Sequence, residues 1–381
     1  MKVFVIAGEP SGDALGQAVM AGLKELVQEV RFDGIGGPLM EGEGLKSRFA
    51  MDELSVMGLA EVLPKYRHLK RRIAETAQAV LDTKPDVLLT IDSPDFCLRV
   101  AKLVKARQKI RTVHYVAPSV WAWRPGRAVK MAKVIDHVLA LLPFEPPLMA
   151  AAGMDCDFVG HPIVAQQQAT TQEAAAFRDD HGLGNAPLIL TLPGSRRGEV
   201  TRLAPVFGEA LKRIVKVHPD ARVVLPAAGP VVSVVEALTK DWPGRPILLA
   251  PATDDQTQAS KRAAFRAADV ALAASGTVSL ELAAARTPMV IAYDMSWLSR
   301  QIIGRMLKID TVTLVNLVSE TRTVPEFIGA NCKPDLIATS VLGTLEAPTQ
   351  QEEAMALTMQ RLGEGQEPPG LRAARAILAR L

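Results

Sequence analysis

Short runs of apolar and β-branched residues alternate along this chain with longer stretches whose apolar positions recur at helical spacing. In the first half, the runs at 2–7, 31–35, 87–91, 112–116 and 137–142 predict strands. Helical patterns such as 14–29 and 96–109 lie between them. The second half repeats the alternation, with strands predicted at 188–192, 222–225, 247–249, 270–273 and 289–292. These runs are continuously apolar rather than alternating, as parallel strands buried on both faces require. Two such βα series predict an α/β chain with two doubly wound parallel sheets.

The polar stretch 164–172, with no apolar period, separates the two series and predicts a linker. Strand signals stop after about Asp335, and the residues beyond it have a helical pattern. The expected organisation is therefore one Rossmann-like domain over 1–165 and a second over 166–340. Helices over 341–381 are expected to pack back on the first domain or on a partner subunit.

Length and composition agree with this division. At 381 residues, 48% of them hydrophobic, the chain has apolar material for two cores. Cys97, Cys156 and Cys332 are widely spaced, which argues against a disulfide framework or a cysteine zinc site and favours a reducing compartment. The apolar run at the N-terminus is too short for a signal peptide, and none approaches the roughly 20 residues of a membrane span. A net charge of +3 does not suit a nucleic-acid binder. It conceals an asymmetry, however. Residues 62–133 hold 16 Lys and Arg against five Asp and Glu, a local +11 that leaves −8 elsewhere. This is either a solvated basic face or a surface for anionic lipid or phosphorylated substrate.

In open α/β sheets the loops after the strands carry chemistry. Gly8-Glu9-Pro10-Ser11-Gly12-Asp13 follows the first strand, where it reads either as an anion- or sugar-binding turn or as a plain turn with Asp13 as N-cap. Asp92, after the third strand, is placed to take a proton from a hydroxyl, or is a turn residue. Pro193-Gly194-Ser195-Arg196 enters a helix, and small residues with an arginine suit a diphosphate. Ser275-Gly276-Thr277 offers a second helix N-terminus, and Glu281 beyond it could accept from ribose hydroxyls. There is no GxGxxG after a strand and no GxxxxGK[ST], so dinucleotide and P-loop sites are unsupported. His114 and His161 lack a second ligand at metal spacing, and Asp155-Cys156-Asp157 is read as a chance match to a metal-binding pattern. Tyr66, Leu69, Ile73, Ala77 and Val80 recur at helical spacing between basic residues. That stripe faces the core, or joins Trp121 and Trp123 in an interfacial membrane patch around 54–73.

Taken together, these segments closely resemble the lipid-A-disaccharide synthase family. The resemblance is carried by Gly8–Asp13, Met57-Gly58, Ile91-Asp92-Ser93-Pro94-Asp95-Phe96 and the segment from His114 to Trp123. Leu141–Glu145, Phe158–Pro162, Leu192–Arg196 and Ala274–Thr277 continue it in order, out to about Asn316. It implies an inverting GT-B glycosyltransferase, with two Rossmann-like domains facing across a cleft and no cofactor or bound metal. The donor would be UDP-2,3-diacylglucosamine and the acceptor 2,3-diacylglucosamine 1-phosphate. UDP would be bound by Gly194, Ser195, Arg196, Ser275, Gly276, Thr277, Glu281 and Asn316. Asp92 would be the general base, with Asp13 the other candidate, and Ser11 and Asp13 would line the cleft. A cytoplasmic enzyme on the inner-membrane surface, dimeric through exchanged tails, is also implied. The competing readings are a UDP-sugar epimerase of the same fold and a nucleotide-binding membrane adaptor without chemistry.

Overall fold

The computed structural model describes residues 1–54, 59–295 and 309–381, with side chains for all of these except 59–66. The chain divides into two compact units, Met1–Ala165 with Leu362–Leu381, and Gln166–Arg361.

The first unit runs β1 (Lys2–Ala7), α1 (Pro10–Leu26), β2 (Arg31–Ile35), α2 (Pro38–Gly42), α3 (Leu59–Thr83), β3 (Val87–Ile91) and α4 (Pro94–Lys105). It continues through β4 (Arg111–Tyr115), α5 (Gly126–Met131), β5 (His137–Ala140), α6 (Pro146–Ala150) and β6 (Asp155–Phe158). Proline opens α1, α2, α4 and α6, where its missing N–H leaves no helix bond unmade. The strands form one sheet in the order β2-β1-β3-β4-β5-β6, and every pair is parallel. Alternate residues of β1 serve opposite faces: Phe4 and Ile6 join α3 and α4 side chains such as Val80 and Val100. Val3 and Val5 join Val19 and Leu23 of α1 and Ile377 of the last helix. Both faces are covered, which is why these strands read as unbroken apolar runs.

The second unit contains α7 (Thr171–Asp180), β7 (Leu188–Leu192), α8 (Arg197–Val217), β8 (Arg222–Pro226), α9 (Val232–Thr239) and β9 (Ile247–Leu249). α10 (Asp255–Ala267), β10 (Val270–Ala274), α11 (Val278–Ala285), β11 (Met289–Tyr293) and β12 (Glu326–Ile328) follow. Its sheet has the order β12-β11-β10-β7-β8-β9. The order of strands reverses between β7 and β10, which makes this the switch point of a doubly wound sheet. Leu203, Phe207 and Leu211 of α8 pack on it beside Ile337 and Val341 of the helix Pro334–Glu346.

Two strands have no counterpart in the hydrophobic pattern. β6 and β12 are four and three residues long and only partly buried. Each lies at a sheet edge with a neighbour on one side only, so no apolar run was required of it. The run at 112–116 also ends earlier as a strand: β4 stops at Tyr115, and Val116 turns back with φ +87°. Of the tail helices, Pro334–Glu346 and Thr349–Arg361 stay with the second unit, the latter against α11 and Leu314–Ser319. Only Pro369–Leu378 returns to the first unit, along α1.

Candidate active site

At the carboxyl end of the second sheet, the loops after β7, β8, β9 and β10 enclose a cavity of about 670 Å³. The two loops flanking the switch point supply Gly194, Ser195 and Arg196 on one side and Ser275, Gly276 and Thr277 on the other. Gly194 has φ +117°, and Gly276 φ +156° at the edge of that region, so each turn bends where a side chain would resist it. α8 begins directly after Arg196 at the edge of this space, and a helix N-terminus is a favourable place for negative charge. Glu281 lines the cavity too, its carboxylate 2.8 Å from Lys261 Nζ.

Two further charged residues belong to this site and were not singled out by sequence pattern. Lys261, on α10, holds Glu281 from another helix. Glu199, in the first turn of α8, accepts from the backbone N–H of Ser195 and Arg196 and pairs with the Arg196 guanidinium. Asn316 is not among the residues lining the cavity. It is 1% exposed, and its amide donates to Thr311 Oγ1 and Val324 O and accepts from Val324 N. These bonds brace the segment between Thr311 and β12.

In the first unit, the sequence order of strands reverses between β1 and β3, and the loops after them meet. A Cβ on Gly8 would lie 2.5 Å from Ser93 Oγ, so glycine is what lets the two loops touch. Asp92 and Ser93 both take left-handed backbone conformations, φ +50° and +43°, which non-glycine residues rarely adopt. The Asp92 N–H donates to Tyr115 O at 3.0 Å, and Val116, with its own positive φ, donates to Leu139 O. Strained residues thus gather at the ends of adjacent strands, where strain marks functional sites. The Asp92 side chain is partly exposed there, and Ser11 is exposed on the first turn of α1.

Asp13 is placed differently. It is 3% exposed, and its carboxylate accepts from the N–H groups of Gly37, Leu39 and Met40 at 2.8, 3.0 and 3.1 Å. It caps the first turn of α2 from α1, and each of these bonds is with backbone.

The remaining polar candidates are held in the fold. Burial pushes His114 and His161 down to about 4, so both are neutral. Asp155 and Asp157 on β6 pair with Arg111 and Arg380, and Asp157 also meets His137. Trp121 donates to Glu145 at 3.2 Å and meets Phe144 edge-on. Glu145 also accepts from the Leu142 N–H, and burial lifts its carboxyl to about 7. Of the patch around 54–73, residues 55–58 and the side chains of 59–66 lie outside the described residues. Leu69 and Ile73 pack on the core, and Arg72 binds Glu53, while Arg67, Lys70 and Arg71 are exposed. Trp123 is partly exposed, with Arg124 and Arg127 over its ring at 4.5 and 5.2 Å. No helix among the described residues is long and apolar enough to cross a membrane.

The family model of lipid-A-disaccharide synthetase matches residues 3–377. A lipid-A-disaccharide synthase from Ruegeria pomeroyi is 66% identical over 383 residues, covering 100% of this chain and 96% of its own. One from Rhodospirillum centenum is 45% identical, with 99% and 94% covered. Among solved structures, the UDP-GlcNAc 2-epimerase of Neisseria meningitidis bound to UDP-GlcNAc has a TM-score of 0.62 at 14% identity, covering 100% of this chain and 98% of that one. The Methanocaldococcus jannaschii UDP-GlcNAc 2-epimerase, in complex with UDP-GlcNAc and UDP, has a TM-score of 0.59 at 14% identity, with 100% and 99% covered. At such identity the epimerases share the fold alone, whereas the synthases match along the whole chain. The chain belongs to the lipid-A-disaccharide synthase family, a family of glycosyltransferases.

Proposed function

We propose that this chain transfers 2,3-diacylglucosamine from its UDP-linked form to the 6-hydroxyl of 2,3-diacylglucosamine 1-phosphate. The products are the β-1,6-linked disaccharide 1-phosphate and UDP. One observation carries the donor half of this reading. The cavity at the switch point of the second sheet joins a glycine-arginine helix entrance to a second small-residue turn and a carboxylate. Backbone N–H groups and Arg196 suit a diphosphate, and Glu281 suits a pair of sugar hydroxyls.

Asp92 is the base in this reading, because it is partly exposed at a strand end, whereas the Asp13 carboxylate is already occupied by three N–H groups. It takes the proton from the acceptor's 6-hydroxyl as that oxygen bonds to the anomeric carbon from the face opposite the diphosphate. The bond from that carbon to the diphosphate oxygen breaks, and its electron pair leaves with UDP. Attack from the opposite face inverts the configuration. Arg196 and the start of α8 stabilise the charge that develops on the leaving group, so the step as written calls for no metal.

Both substrates are acylated, and the exposed Arg67, Lys70, Arg71, Arg124 and Arg127, with Trp123, suit an anionic leaflet. Peripheral attachment to the inner membrane predicts co-sedimentation with anionic vesicles that salt reverses. A homodimer exchanging the helix Pro369–Leu378 would place on a partner the contact that this helix makes with α1, and sedimentation measures it.

The decisive assay mixes the purified protein with both acylated sugars in detergent and looks for the disaccharide 1-phosphate and UDP. Folded protein that makes neither overturns the proposal. Epimerised donor without acceptor would indicate an epimerase instead. Asp92→Ala is expected to abolish turnover while leaving UDP affinity nearly intact. UDP binding without turnover, indifferent to Asp92→Asn, would indicate the adaptor.

A further inference from the structure

The anion-binding end of α8 is already covered by an anion of the chain's own. Glu199 Oε2 accepts from the backbone N–H of Ser195 and of Arg196, each at 3.3 Å, and Oε1 from the Arg196 guanidinium, also at 3.3 Å. A Cβ built on Gly194 would lie 2.8 Å from the same Oε2, so the carboxylate is folded down onto the turn. The Glu199 side chain is 14% exposed, whereas that of Arg196 is 67% exposed and able to reach outward.

These contacts are longer than those of Asp13. Asp13, which caps α2, accepts at 2.8 to 3.1 Å and is 3% exposed. The three N–H contacts of Glu199, each at 3.3 Å, lie just beyond the usual range of about 2.7–3.2 Å, and the Tyr293 hydroxyl also bonds this carboxylate. The N–H donors are those a phosphate oxygen would use, two adjacent backbone N–H groups and a guanidinium. Tyr293, at the end of β11, stands near the same carboxylate; burial first, and the charge of Glu199 next, raise its phenol. A diphosphate entering here would meet a negative charge on the donors it needs.

We propose that Glu199 is a stand-in anion. It occupies the diphosphate's hydrogen-bond donors while the cavity is empty, swings off them when the UDP-sugar enters, and returns as UDP leaves. This rests on the reading of the 193–196 turn as the diphosphate cradle. In this role Glu199 is a positioning residue. It holds the turn in its binding conformation without ligand, and its return competes with product UDP. The cost is weaker UDP binding, and the gain is faster release.

The test uses the full chain and UDP. Glu199→Gln keeps the size of the side chain and one acceptor but removes the charge. By calorimetric titration it is expected to bind UDP roughly three- to tenfold more tightly than wild type. In turnover, the KM for donor is expected to fall together with kcat, with stronger inhibition by UDP. Glu199→Ala also removes the cap, so its melting temperature is expected to fall without UDP and to recover at saturating UDP. UDP binding that is weaker in both variants, or within twofold of wild type in both, overturns the proposal. If wild type does not bind UDP, or Arg196→Ala binds it as well as wild type does, the cradle reading itself has failed.

Discussion

Asp13, in the first turn of α1, and Asp92, just after β3, lie in one unit, and substitution separates their roles. In Asp13→Ala, the N–H groups of Gly37, Leu39 and Met40 lose their acceptor at a place where Asp13 is 3% exposed. A lost helix cap costs about 1 kcal/mol, and hydrogen bonds to a charged group contribute about 1.5–3 kcal/mol. A loss of about 3 kcal/mol is expected, or about 6–12 °C in melting temperature for a unit of this size. Asp13→Asn is gentler. Oδ1 accepts from both Gly37 and Met40, and only the Oδ2 contact with Leu39 turns from attraction to a clash of donors. About 1–2 kcal/mol is expected. The assay is thermal unfolding, followed by turnover per mole of folded protein well below either midpoint. Asp13→Asn is expected to keep turnover within about tenfold of wild type, whereas loss of a general base costs about 100- to 10,000-fold. A normal melting temperature with turnover reduced roughly 1000-fold or more in Asp13→Asn would make Asp13 the base and refute the capping role.

Glu145 links stability to pH. Its carboxyl is raised to about 7 by burial from an ordinary 4.5, so between these values the folded state holds a proton that the unfolded state has lost. Stability therefore falls as pH rises through that window, by about 3 kcal/mol once pH exceeds about 7. Glu145→Gln should flatten the profile of unfolding free energy between about pH 5 and 8; a slope as steep as that of wild type would count against this origin. Gly8→Ala drives a methyl to 2.5 Å from Ser93 Oγ, and overpacking of this kind costs about 1–3 kcal/mol. Adding Ser93→Gly removes the obstructing atom and relieves the left-handed backbone, so in thermal unfolding the double variant should recover most of the lost stability. A double variant no better than Gly8→Ala would show that the clash is not the cause.

How much was legible from the residues depended on the range of the interaction. β1, β2, β3, β7 and β9 could be read to the residue; for β1, β3 and β7, neighbours on both sides and helices on both faces demand unbroken apolar runs. β6, with its two charged residues, makes no such demand. The two turns that flank the cavity of the second sheet were legible because each is local and enters a helix. What held Asp13 was not: its partners lie 24 to 27 residues away, on the far side of β2. Lys261 escaped notice for the same reason, since it reaches Glu281 across 20 residues. Glu199 is only three residues from Arg196, but the pattern shows a helix carboxylate and not the direction in which it folds. Asn316 was carried over from the resemblance, and its burial and bonds were beyond any reading of spacing.

The return of Pro369–Leu378 to α1 has a consequence for the order of synthesis. Gly22 and Gly370 bring the two helices so close that a Cβ on Gly370 would lie 2.5 Å from Ala18 O, and one on Gly22 2.9 Å from Gly370 O. The first sheet is translated early, yet the helix that closes over Val19 and Leu23 emerges only after the whole second unit. The later-made unit is thus free to finish first, and the earlier one waits with an apolar helix face uncovered. A ribosome stalled anywhere in the second unit would leave the first as the exposed, chaperone-dependent part of the nascent chain.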